Sequence, residues 1–343
     1  MDMMMKKILM LALALPLAAM AAAPAAAQTT VMTFYRSIPL PDITGGDFDH
    51  FATDLKTNRL YVTAEGHKSV EVFNLRTGEH LASVGGFENP HSIYLVPDKG
   101  VLFIADGGAA EVKILDVASF KIVGHIPTRP GPDAAYYDAA ARLLYVGNGG
   151  RAEKVADSTL SVISVDGRNS VAQIPVDANN IESMAIDHTT NRMFINLRDK
   201  TQIGVLDLKT RQLIAHWDLP GLQQNTPMTY DPKTRRLFVV GRKPGLIMVL
   251  NADTGAVLSS QPCVDTADDM TFDSQSNRIY VTGAGGLSIY DRDGSDELRE
   301  IQRLDTKGGK TSTFVPTLAQ FYVVHTKSSE ANAALDIFTV AQK

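Results

Sequence analysis

Cysteine is almost absent: Cys263 is the only one in 343 residues, so no intramolecular disulfide can form. Its sole position reads as a small buried residue rather than a reactive thiol. No Cys-x-x-Cys-His segment occurs and Trp217 is the only tryptophan, which argues against haem-based electron transfer and tryptophan-rich quinone enzymes. There is no excess of positive charge. Lys and Arg total 33 against 38 Asp and Glu, a net charge of −5, so general attraction to nucleic acid or anionic lipid is not expected. No Gly-x-Ser-x-Gly elbow and no Walker-type phosphate loop are present, which sets aside serine hydrolases of that kind and nucleotide cofactors.

Long hydrophobic runs are confined to the N-terminus. Lys6 and Lys7 precede an apolar stretch from Ile8 to Ala23, and Ala25, Ala26 and Ala27 supply the small residues of a cleavage site before Gln28. The expectation is a cleaved signal peptide over 1–27, a periplasmic or secreted protein, and no membrane insertion afterwards. Residues 28–343 are then read as one domain.

What is present is a period. Tyr61, Phe103, Tyr145, Phe194, Phe238, Tyr280 and Tyr322 each sit in a short apolar strand, separated by 42, 42, 49, 44, 42 and 42 residues. Between them lie β-branched and aromatic runs broken by Asp/Pro/Asn/Gly turns, as at Asp54–Asn58, Asp231-Pro232-Lys233 and Asp273–Asn277. A repeat in the low forties filled with strands predicts an all-β fold, a seven-bladed β-propeller with four antiparallel strands per blade. The last repeat has only three strands, Ser312–Val315, Gln320–Val324 and Leu335–Val340. The orphan segment Val31–Leu40 is expected to supply its fourth and close the ring, which removes exposed strand edges.

Leu60-Tyr61-Val62-Thr63 and Ile279-Tyr280-Val281-Thr282 resemble the repeat of the YVTN-repeat propellers, the YncE-like group, and Val70–Asn74 and Gly204–Asp207 are similar to its third strand. Ala64 and Gly283 stand where the family repeat has Asn. The resemblance spans essentially all of 28–343. It implies the propeller fold, related to lactonase-type propellers, in a group that mixes lactonase-type enzymes, nucleic-acid binders and surface proteins.

In a propeller, the residues just before the inner strand and just after the second strand meet at one mouth of the central channel. Twelve residues before the anchors stand Asp49, His91, Asp133, Glu182, Thr226, Asp268 and Lys310; one later come His50, Ser92, Ala134, Ser183, Pro227, Asp269 and Thr311. After the second strands come His67, Asp106, Asn148, Asn196, Arg242 and His325. Carboxylates converging on one axis raise each other's pKa unless a cation lies between them. Asp49, His91 and Asp268 are therefore candidate metal ligands, and Glu182, Asp269 and His50 candidate acid–base groups. His67, Asn148, Asn196, Arg242 and His325 are candidate ligand-binding residues. Oxygen ligands alone suit Ca²⁺ or Mg²⁺, and adding His50 or His91 shifts the preference toward Zn²⁺, Mn²⁺ or Fe²⁺. His80, His125, His216 and His188 read as solvated surface residues.

Two functions fit these residues. One is a metal-assisted enzyme on a small organic substrate, a lactonase-like hydrolase or a lyase. The other is a non-catalytic periplasmic ligand- or protein-binding propeller. A monomer is expected.

Overall fold

A computed structural model describes residues 30–149, 157–329 and 331–342. The proposed signal peptide and part of the long link after Asn148 lie outside the described residues. Seven four-stranded antiparallel sheets form the blades of a propeller, six of them built from consecutive strands. The seventh joins Met32–Pro39 to Ala334–Val340, Gln320–His325 and Thr311–Val315, in that order, so the N-terminal strand closes the ring as expected. Its register runs from Met32 opposite Val340 to Pro39 opposite Ala334. Among the described residues no helix is long and apolar enough to cross a membrane.

The period has a structural cause at two places in every blade and at a third in five of them. The seven anchor residues are all buried in second strands. Tyr61, for example, packs with Val70 and Val72 of its own blade and with Ile93, Leu102 and Ile104 of the next. Each such aromatic removes enough apolar surface from water to contribute about 2 kcal/mol. Three residues before every anchor the backbone turns left-handed, at Asn58, Gly100, Arg142, Asn191, Arg235, Asn277 and Ala319, with φ from 50° to 61°. Before that turn an aspartate ends the inner strand in five blades, with Val96 and Val315 in its place in blades two and seven. Asp54, Asp138, Asp187, Asp231 and Asp273 each accept backbone N–H groups at 2.9–3.1 Å from the residues two or three further on. Deviation from this spacing would break a cap, a turn and a core contact together.

At the opposite end of the inner strands, six blades carry a register shift. In blades one to five, two residues face one on the second strand: 49 and 50, 91 and 92, 133 and 134, 182 and 183, 226 and 227. In blade six Asp268 is the extra residue. A bulge of this kind leaves its residues free of the normal pleat and re-aims their side chains. It is placed at the mouth every time.

Candidate functional site

In blade one both residues of the bulge reach the mouth. Asp49 Oδ2 lies 3.0 Å from His91 Nδ1 of the neighbouring blade, and Asp49 Oδ1 lies 3.6 Å from His50 Nε2. His50 Nδ1 in turn lies 3.5 Å from Asp269 Oδ1. Asp269 uses its other oxygen to accept the backbone N–H of Ser312 at 2.7 Å. His91 Nδ1 also has Asp133 Oδ1 at 3.5 Å and Glu65 Oε1 at 3.9 Å. Asp49, Glu65 and His91 can each present one donor atom such that all three lie within 4.8 Å of one another.

The opposite side of the mouth is made of ion pairs. Glu182 Oε1 accepts from Arg198 Nη1 at 2.7 Å and from Asn180 Nδ2 at 3.3 Å. Asp268 is held from two sides, by the Arg242 guanidinium and by Lys310 Nζ at 2.6 Å. Lys310 also reaches Asp47 Oδ2 at 2.8 Å. Blades one to three therefore present Asp49, Glu65 and Asp133 with the two histidines, and blades four, five and seven present cations that are already paired, Arg198 with Glu182 and Arg242 and Lys310 with Asp268 of blade six.

Crowding sets the protonation states. Burial works against ionisation of Asp49, yet the charge of His50 and the bond to His91 outweigh it and hold its carboxyl below the usual range. Burial likewise disfavours the charged forms of the two histidines. Asp49 and Asp269 nevertheless lift His50 to about 10, and Asp133, Asp49 and Glu65 lift His91 to about 10. Glu65 is pushed up to about 7 by burial and then by Asp49. Desolvation raises Asp133 to about 6; His91 pulls against it while Asp49 and Glu182 add to it. Asp133 has the most open side chain of the group, 45% exposed.

Four of the candidate ligand-binding residues stand apart from this cluster. Asn148 is buried inside blade three, where its Nδ2 donates to Val146 O, Thr159 O and Ser161 Oγ at 2.8–3.0 Å. Asn196 joins blade four to blade five: its Nδ2 donates to Thr226 O and its Oδ1 accepts from Asn225 Nδ2, both at 2.8 Å. His325 is enclosed in blade seven, with Nε2 3.7 Å from Asp336 Oδ2. His67 lies exposed in the turn between the second and third strands of blade one. Arg242 alone of the five sits in the mouth. His80 is no free surface residue either, since its Nε2 meets the wholly buried Glu71 at 2.7 Å.

Glu65 and Arg198 belong to the mouth and do not stand among the sequence candidates. Both fall four residues after an anchor, Tyr61 and Phe194, and Arg242 falls four after Phe238. A constant offset would have found all three. Asn148, Asn196 and His325 stand only two or three residues past their anchors, still within the second strands.

No family model matches the chain, and no curated protein matches it in sequence. Among solved structures it is similar to a chain of the hydrazine synthase of Kuenenia stuttgartiensis, with a TM-score of 0.74 and 15% identity over 88% of this chain and 97% of that one. It is also similar to a chain of a mitotic checkpoint complex, with a TM-score of 0.72 and 16% identity over 95% of this chain and 98% of that one. At such identities the likeness shows the β-propeller fold and carries no chemistry.

Proposed function

We propose that the protein is an exported YVTN-type propeller whose mouth binds a divalent cation and uses it on a small organic substrate, in a lactonase-like hydrolase or lyase reaction. The observation that carries this reading is the convergence of Asp49, Glu65 and His91 from two blades, with donor atoms within 4.8 Å. Two carboxylates and an imidazole suit Zn²⁺, Mn²⁺ or Fe²⁺ better than Ca²⁺. A cation there would polarise a substrate carbonyl or acidify a water.

The chain's own residues supply the rest. Asn89 Nδ2 lies 2.7 Å from His91 Nε2 while Nδ1 faces the carboxylates; cation binding at Nδ1 requires the Asn89 amide to turn its oxygen to the ring and accept Nε2–H. Asp133, raised to about 6 by desolvation and by the charges of Asp49 and Glu182, is suited to taking a proton from water or from a carbon beside a carbonyl. Glu182 and Asp269 are already engaged with Arg198 and with Ser312, which favours an orienting role for them.

The test is Mn²⁺ uptake by the purified protein, followed by turnover of a panel of lactones. Wild type should retain the ion and Asp49→Asn and Glu65→Gln should lose it. Asp133→Asn should keep the ion and lose turnover. Failure of the wild-type protein to hold Mn²⁺, Zn²⁺ or Fe²⁺ would end the catalytic reading in favour of a binding propeller. Export is checked separately, by finding Gln28 at the N-terminus of the protein recovered outside the cytoplasm.

A further inference from the structure

We infer that Arg198 and Arg242 hold a carboxylate of the substrate, so that the lactone or other carbonyl compound taken by this mouth carries a free acid group as well; this rests on the reading of the mouth given above. The two arginines occupy the same repeat position in adjacent blades, four residues after Phe194 and Phe238. Their side chains are only 14% and 17% exposed. Arg198 spends Nη1 on Glu182, and Arg242 spends Nη2 on Asp268 and Nε on Ala267 O at 3.1 Å. A guanidinium carries five N–H groups. Among the described residues, Nε and Nη2 of Arg198 and Nη1 of Arg242 have no protein acceptor.

Two partly buried cations of like sign disfavour each other, and burial followed by Arg198 holds Arg242 below its usual range. A guest anion between them relieves that repulsion and takes up the spare donors in the forked geometry that suits a planar carboxylate. The space exists. Asn179, Asn180, Asp199, Thr201, Gln223 and Gln224 line a polar cleft of about 350 Å³ with Arg198, and Asp199 is turned onto the backbone N–H groups of Asn179 and Asn180 at 3.1 and 3.2 Å. The Arg242 N–H donates to Gln223 O and Gln224 O at 3.1 and 3.2 Å, which places Arg242 against the same wall.

Charge balance narrows the class. Glu182 and Asp268 already offset the charges of Arg198 and Arg242, and Asp199 adds a negative charge to the cleft, so a guest is held by the spare N–H donors rather than by net charge, which disfavours a doubly charged phosphate. The acids of blades one to three repel the same carboxylate. The guest is thus oriented with its acid group toward blades four and five and its remaining functional groups toward Asp49, Glu65 and His91.

The probes are lactate, its neutral methyl ester and inorganic phosphate, followed through the guanidinium Nε–H resonances of Arg198 and Arg242 in the full-length exported protein. Lactate should shift both resonances and the ester neither. Arg198→Lys and Arg242→Lys keep the charge that Glu182 and Asp268 need but lose the fork. Each should weaken lactate about tenfold or more while leaving Mn²⁺ uptake and thermal unfolding unchanged. Equal lactate affinity in the Lys variants, equal binding of the ester, or tighter binding of phosphate would overturn the inference. Lactate binding without Mn²⁺ uptake would sink the cation reading and leave this one standing; Mn²⁺ uptake without lactate binding does the reverse.

Discussion

The His91 ring occupies the space that a side chain on Gly107 would need: a Cβ there would lie 2.9 Å from both Cδ2 and Nε2 of the imidazole. Gly107 follows the second strand of blade two, at the same offset that gives Glu65 in blade one and Arg198 in blade four. Its φ is not left-handed, so adding a methyl there is a steric change and not a backbone one.

Gly107→Ala should therefore push the His91 ring off Asp49 without unfolding the blade. Mn²⁺ affinity is expected to fall about tenfold, the size typical of misplacing a ligand through its surroundings. Stability should change by about 1 kcal/mol or less. Calorimetric titration beside a thermal melt checks both. Wild-type affinity in this variant would detach His91 from cation binding.

Glu71 gives a pH dependence outside the mouth. Its side chain is fully enclosed and bonded to His80 Nε2 at 2.7 Å and to the hydroxyls of Ser69 and Ser83. Burial opposes its charge, but these bonds outweigh burial and hold its carboxyl below the usual range. A group whose pKa is lower folded than unfolded contributes stability above its unfolded value and loses it as pH falls through the folded one. Glu71→Gln should cost about 1–3 kcal/mol at neutral pH. That gap to wild type should shrink on acidification below about pH 4. Urea unfolding at neutral and acid pH measures it, and a gap independent of pH would contradict the linkage.

The fold was legible because each repeat fixes several kinds of chemistry at once. Asp231 caps the inner strand, Arg235 takes the left-handed turn and Phe238 fills the core, all at set distances; four other blades repeat the whole pattern, and blades two and seven repeat the turn and the core residue. Asp49, His50 and His91 were legible for a related reason, since the bulge that exposes them recurs at a constant distance from the anchor, whereas Glu65 lies beyond the second strand, outside that register. What could not be read was pairing across blades. Nothing local to Asp268 announces that Lys310 and Arg242 enclose it, and nothing local to Asn196 announces its bond to Asn225. Those partners lie 26 to 42 residues away and meet only once the ring closes.

Ring closure rests in part on one side chain of blade six. Gln302 Oε1 accepts the N–H groups of Val31 and Met32 at 2.7 and 2.8 Å, and its Nε2 donates to Met32 O at 2.7 Å. Gln302→Leu leaves two buried donors and one acceptor without these partners, at a cost of about 3 kcal/mol. The expected sign is faster limited proteolysis within Met32–Pro39 together with a lower unfolding midpoint. Protection equal to wild type would mean that the strand is held by its pairing with Ala334–Val340 alone.

The left-handed turns allow a paired test of backbone strain. At Arg142 and Arg235 the side chains make ion pairs, with Asp98 and Asp166 and with Asp187 and Asp253, that offset the unfavourable conformation. Ala319, at φ 50°, has no side-chain bond to set against it. Ala319→Gly should stabilise the protein by about 0.5–1 kcal/mol, because the left-handed cost for a Cβ exceeds the added freedom of glycine in the unfolded chain. Gly100 occupies the same turn in blade two at φ 61°, and a Cβ there would meet only Val117 Cγ2 at 3.8 Å. Gly100→Ala should therefore destabilise by a similar amount with no steric contribution. Thermal unfolding of the two variants should move in opposite directions, and movement in the same direction would show that conformation at this position does not set the energy of the turn.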